Sequence, residues 1–149
     1  RTRCENIHLT LAFLGEVGAE RMQGVTDVAD RIALPAFDMQ FTQLGWWRKN
    51  QVAWATTDET PRPLVDLVQQ LQSGLAAQGF AFEVRYFQPH VTLLRKAHCP
   101  AGVIDCEPIA WQANEFVLVR STLHKAGSRY ALVQRWPLQP LLLIRPDDV

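Results

Sequence analysis

Two tetrapeptides constrain this chain more than any other feature: His8-Leu9-Thr10-Leu11 and, 82 positions on, His90-Val91-Thr92-Leu93. Successive side chains of a β-strand point to opposite faces, so His and Thr at i and i+2 stand side by side. The apolar residue between them turns the other way. Each copy therefore presents an imidazole and a hydroxyl from one strand and commits the opposite face to a core. A chain that does this twice in 149 residues is expected to form two similar lobes related by a pseudo-two-fold axis, with both pairs facing one cleft.

The residues around the motifs fill in an α+β architecture. Ile7 to Leu14 alternate as a strand would, with Ile7, Leu9, Leu11 and Phe13 on one face and His8, Thr10 and Ala12 on the other, and Gly15 ends the run. Met22, Val25, Ala29 and Ile32 recur at helical spacing, predicting a helix that Pro35 stops. Phe37 to Leu44 and Val52 to Thr56 read as strands joined by a loop holding Trp46, Trp47, Arg48 and Lys49. Thr60 has the character of an N-cap with Pro61 at the first helical position. Leu64, Leu67, Val68, Leu71 and Leu75 then form the apolar stripe of a helix that Gly79 closes. After Pro89 come a strand from His90 to Arg95 and an irregular connection from Lys96 to Pro108. Strands Phe116 to Leu123 and Tyr130 to Trp136 form a hairpin around Lys125-Ala126-Gly127-Ser128. No flexible linker divides the halves, so residues 1–149 are read as one bilobal domain, with antiparallel-sheet lobes, helices outside and a central cleft.

Composition narrows the function classes. Fifteen basic and fifteen acidic side chains cancel, so no global field draws in nucleic acid and any such contact must be local. The apolar run from Leu141 to Ile144 is too short to cross a membrane. Cys4, Cys99 and Cys106 are odd in number and lack disulfide-framework spacing, which fits a reducing, cytoplasmic setting. His98, Cys99 and Cys106 match no zinc pattern and read as unrelated loop residues. His124 reads as an exposed turn residue.

The paired motifs suit acid–base chemistry at phosphorus. In-line displacement needs a base beside the attacking oxygen and an acid beside the leaving oxygen. Histidine can play either part near neutral pH. The Thr10 and Thr92 hydroxyls can donate to non-bridging phosphate oxygens, where negative charge concentrates. Nothing in this logic requires a metal or a cofactor. One His-x-Thr alone is better read as a half-buried strand histidine beside a threonine of high β-propensity. Two copies, each followed by Leu, reverse that judgement.

Glu5-Asn6 followed by His8-Leu9-Thr10-Leu11-Ala12-Phe13-Leu14-Gly15-Glu16-Val17, the segment Pro89-His90-Val91-Thr92-Leu93-Leu94-Arg95 and the closing Ser128-Arg129-Tyr130 through Arg135-Trp136 resemble the 2H phosphoesterase superfamily. Within it, the chain is most similar to the bacterial RNA 2′,3′-cyclic phosphodiesterases, historically called 2′-5′ RNA ligases, from about Arg3 to Leu138. The resemblance implies metal-independent hydrolysis of a terminal 2′,3′-cyclic phosphate to a 2′-phosphomonoester in a groove between two lobes. It gives His90 the water and His8 the departing 3′ oxygen, with Thr10, Thr92 and Arg95 on the phosphate. Near-symmetry leaves the assignment of base and acid open. Relatives place a strand and a helix ahead of the first motif, whereas seven residues precede it here, so a further N-terminal segment is expected. Gln139 to Val149 is expected to be a tail.

Other residues admit two readings. Trp46-Trp47-Arg48-Lys49 sets aromatics beside cations, a combination that holds single-stranded nucleic acid by stacking and phosphate contacts; core packing explains one of the tryptophans equally well. Trp47, Phe87 and Tyr130 are the candidate base contacts, and Arg120 and Arg129 flank the second lobe's hairpin. The expected partners are RNA ends or small cyclic nucleotides, met by a monomer. The alternatives are 2′-5′ RNA ligation or another cyclic-phosphate substrate in the same cleft, and a non-catalytic RNA-binding domain. A protein–protein adaptor gives no reason for matched His-x-Thr pairs.

Overall fold

The structure, a computed structural model, describes residues 2–81, 87–99, 102–124 and 127–140. Its largest element is an antiparallel four-stranded sheet in the order β3-β2-β1-β4, built from β1 (Phe37–Trp47), β2 (Val52–Thr56), β3 (His90–Arg95) and β4 (Ile104–Ala113). Helices α1 (Met22–Asp30) and α2 (Arg62–Ala77) pack on one face of it. A second sheet is the hairpin of β5 (Glu115–His124) and β6 (Gly127–Pro137).

The core follows from the periodicities. The predicted stripe of α2, Leu64, Leu67, Val68, Leu71 and Leu75, is buried throughout. It meets Val25, Val28 and Ala29 of α1 and the alternate strand residues Phe37, Met39, Phe41, Ala55 and Val91. Helix α2 ends as expected: Gly79 takes a left-handed φ of 77°, and the Phe80 and Gly79 amides bond back to the carbonyls of Leu75 and Ala76. The hairpin joins this core at its base, where Phe116 and Trp136 stack with centroids 5.4 Å apart. Trp136 Nε1 also donates to Asp30 Oδ1 of α1 at 2.6 Å.

Five expectations change. Residues 7–14 are not a regular strand: after a 3₁₀ turn at Cys4–Asn6 the segment makes one antiparallel bridge, Leu9 to Val91. Trp46 and Trp47 belong to β1, leaving Arg48 to Gln51 as the turn. Thr60 does not cap α2, whose N-cap is Pro61 with no side-chain bond; Pro63, in the first turn, fixes φ where an amide has no intrahelical partner anyway. The Lys96–Pro108 connection hides the start of β4. Pro108 disguises that strand, yet proline is tolerated where a strand lies at the sheet edge or in a bulge, and β4 has both, with its register to β1 shifting between Phe41 and Gln43. Gln139, expected to open a tail, instead bridges Pro35, accepting from the Ala36 amide at 2.7 Å and donating to the Leu34 carbonyl at 2.8 Å; Lys125-Ala126 and residues 141–149 lie outside the described residues.

Candidate active site

The Leu9–Val91 bridge pairs the middle residues of the two motifs. In an antiparallel pairing this sets His8 across from Thr92 and Thr10 across from His90, about 4.8 Å from strand to strand. Val91 is buried and Leu9 packs against the same core, so alternation turns both histidines and both threonines to the opposite face. Two sequence-distant pairs become one four-residue cluster around a local two-fold.

Both imidazoles are oriented in the same way. His8 Nδ1 lies 2.7 Å from the Asn6 carbonyl and His90 Nδ1 2.9 Å from the Gln88 carbonyl, each two residues upstream. A carbonyl oxygen only accepts, so Nδ1 carries the proton in both rings and Nε2 is left to exchange protons with a ligand. Each ring also rests edge-on against an aromatic side chain. Tyr130 meets His8 at 4.8 Å and Trp47 meets His90 at 4.7 Å. Trp47 in turn packs on Trp54 at 5.2 Å.

Two supports escaped the sequence reading. The buried Thr56 hydroxyl, on β2 opposite His90, donates to the Pro89 carbonyl and pins the peptide before the histidine. Asn6 Nδ2 donates to the Ser128 carbonyl at 3.2 Å, tying the first motif to β6. Neither carries a sequence signal, because a single Thr or Asn gains meaning only from its spatial partner.

A bulge solves a geometric difficulty with Arg95. Three residues beyond Thr92, strict alternation would point it to the wrong face. The β2–β3 register shifts between Ala53 and Trp54: Thr92 pairs with Trp54, Leu94 with Ala53 and Arg95 with Val52. The extra residue returns Arg95 to the side of Thr92. Val52 and Trp54 are buried yet stand apart from the helix-packed core, so they lie on the face of the sheet away from the helices, the one that carries Thr92.

The other candidates separate. Phe87 is half-buried and packs against the hydrophobic core. Trp46 faces away from the cleft side in the register and donates Nε1 to the Ala97 carbonyl at 2.9 Å. On the hairpin, Arg120 and Arg129 alternate with Ser121 and Tyr130, so they point away from the face that meets His8. Among the described residues no three His, Cys, Asp or Glu side chains gather as metal ligands, and no helix is long and apolar enough to cross a membrane.

Comparison with known proteins decides the family. The model of the LigT-like phosphoesterases matches the chain twice, over residues 1–54 and 55–130. Each match contains one His-x-Thr motif. The chain belongs to the LigT-like phosphoesterase family. The RNA 2′,3′-cyclic phosphodiesterase of Escherichia coli K12 is 38% identical over 136 residues, which cover 90% of this chain and 77% of that protein. Escherichia coli LigT in its apo form superposes with a TM-score of 0.82 at 34% identity, covering 93% of this chain and 79% of the other. The same enzyme complexed with 3′-AMP gives 0.78 at 36% identity, with 90% and 78% covered. The double match of the family model and the bridge between the motifs describe the same duplication, once in sequence and once in space.

Proposed function

We propose that this LigT-like phosphoesterase hydrolyses the 2′,3′-cyclic phosphate at RNA ends to a 2′-phosphomonoester, with His8 and His90 as the acid–base pair. The observation that supports it most is the bridged motif pair, with both Nδ1 atoms engaged by carbonyls and neither Nε2 atom engaged among the described residues. A cyclic phosphate bound between the rings has an imidazole on either side, as in-line displacement requires. His90 takes the proton of the attacking water, and His8 gives one to the departing 3′ oxygen. The phosphorus–O3′ bond breaks as the bond to water oxygen forms, which leaves the phosphate on O2′. Thr10 and Thr92 donate to the non-bridging oxygens, and Arg95 offsets their charge from the end of β3. Escherichia coli LigT complexed with 3′-AMP shows that a fold of this kind accepts a nucleotide carrying a 3′-phosphate.

The test is hydrolysis of an oligoribonucleotide with a 2′,3′-cyclic phosphate end in the presence of EDTA, with 2′- and 3′-phosphate products resolved. The expected result is a 2′-phosphate, formed at an unchanged rate after chelation and lost in both His8→Ala and His90→Ala. A 3′-phosphate product, or turnover abolished by EDTA, overturns this reading.

A further inference from the structure

The net charge of this chain is zero, but the charges near the cleft are not evenly placed. Arg48 and Lys49 occupy the β1–β2 turn, and Arg95 and Lys96 end β3. The register sets Trp47 across from Val52, and Val52 across from Arg95, so the two segments meet at one end of the sheet. Their backbones are clamped there: the Ala97 amide donates to the Gln51 carbonyl at 2.9 Å, and Trp46 Nε1 donates to the Ala97 carbonyl at 2.9 Å. Gln51 and Lys96 hold left-handed φ values of 53° and 55° to make that junction. Such conformations cost about 1–3 kcal/mol each in a non-glycine residue, so the fold sustains the junction against a local penalty.

All four cations are exposed. No Asp or Glu occurs between Asp38 and Asp58, or between Glu83 and Asp105. In the sheet, the acid nearest in register is Asp105, across from Gln43, four residues back along β1 from Trp47. Among the described residues no ion pair engages any of the four, and the rim adjoins the aromatic that rests on His90. Among the described residues of the second hairpin, Arg120 and Arg129 point away from the face that meets His8.

We infer that Arg48, Lys49 and Lys96 form a strand-binding rim that takes the backbone phosphates of single-stranded RNA on the 5′ side of the nucleotide whose cyclic phosphate lies between the histidines. This rests on the cyclic phosphodiesterase reading and sharpens its substrate class: an RNA chain end is preferred over a cyclic mononucleotide. A mononucleotide has no phosphate beyond the reacting one and leaves the rim unused. Its hydrolysis depends on the motifs and Arg95 alone.

The experiment compares the unsubstituted protein with the triple variant Arg48→Gln/Lys49→Gln/Lys96→Asn. Asparagine tolerates the left-handed backbone at position 96 better than most residues. Two readouts are needed: kcat/KM for a 2′,3′-cyclic mononucleotide and for a cyclic-phosphate-ended oligoribonucleotide, and fluorescence-anisotropy binding of a 3′-phosphate-ended oligoribonucleotide across salt concentrations. Mononucleotide turnover is expected to stay within about twofold, which also reports that the variant is folded. For the oligonucleotide, kcat/KM is expected to fall roughly tenfold or more through KM. The slope of log K against log salt is expected to flatten by roughly two units, at about 0.7 per lost phosphate contact on a single strand. Equal losses on both substrates, or an unchanged salt slope, overturn the rim. If the unsubstituted protein turns over neither substrate but binds RNA with a rim-dependent slope, the rim stands and the phosphodiesterase reading falls. If it turns over both and the variant matches it, the reverse holds.

Discussion

At the scale of residues, the cluster is two imidazoles held by the same device: an Nδ1–H to a carbonyl two residues back and an aromatic edge contact. A positioned proton transfer contributes about 10²- to 10⁴-fold, so each of His8→Ala and His90→Ala is expected to lower kcat by that order in single-turnover assays while circular dichroism is unchanged. Thr56 is a quieter case. It is 3% exposed and its hydroxyl serves the Pro89 carbonyl. Thr56→Val keeps the shape and strands a buried acceptor, which costs about 1–3 kcal/mol. Lower stability in urea melts is expected, together with a reduced kcat, because the peptide that orients His90 loses its anchor. Rescue by Thr56→Ser separates the hydroxyl's role from that of the methyl group.

At the scale of elements, close approach governs. The α1–α2 crossing brings Val28 to Gly74, where an added β-carbon would lie 2.6 Å from Val28 Cγ1. Helix propensity favours alanine over glycine by about 1 kcal/mol, but overpacking costs about 1–3 kcal/mol. Val28 is short, β-branched and buried, so packing wins. Gly74→Ala is expected to lower Tm, and Gly74→Ala/Val28→Ala to show positive coupling in a double-mutant cycle. The α2 stripe and the His90 to Arg95 strand were legible because their periodicities match one secondary structure each. β4 was not, because its evidence is a partner: an exposed, proline-bearing edge strand makes sense only against β1. The segment at 7–14 misled in the opposite sense. Its alternation is that of a strand, but the pairing it finds is a single bridge. That the two motifs come together could be read from sequence, and the return of Arg95 to their face could not, since a bulge belongs to register and leaves no mark on residue identity.

At the scale of the whole molecule, the motif cluster exists only where the halves meet, and the proposed mechanism draws its acid and its base from different halves. Activity is therefore expected to peak between two limbs in pH. On the acid side the limb records protonation of the water-activating imidazole, and on the alkaline side loss of the proton destined for the leaving oxygen. If His90 is the base, residual activity of His90→Gln keeps only the alkaline limb, and that of His8→Gln keeps only the acid limb; pH–rate profiles of both variants check the assignment, and exchanged limbs reverse it. The single bridge at Leu9 has one more consequence. One histidine of the proposed pair rides on a stretch with few backbone ties, whereas the other stands on β3, the edge strand that pairs with β2 along its length. Amide hydrogens at residues 9–14 are expected to exchange through small local openings and those of β2 only through global unfolding. On warming, the enzyme then falls silent while its sheet is still intact, so that heat inactivation reports the detachment of one short segment before the melting of the protein.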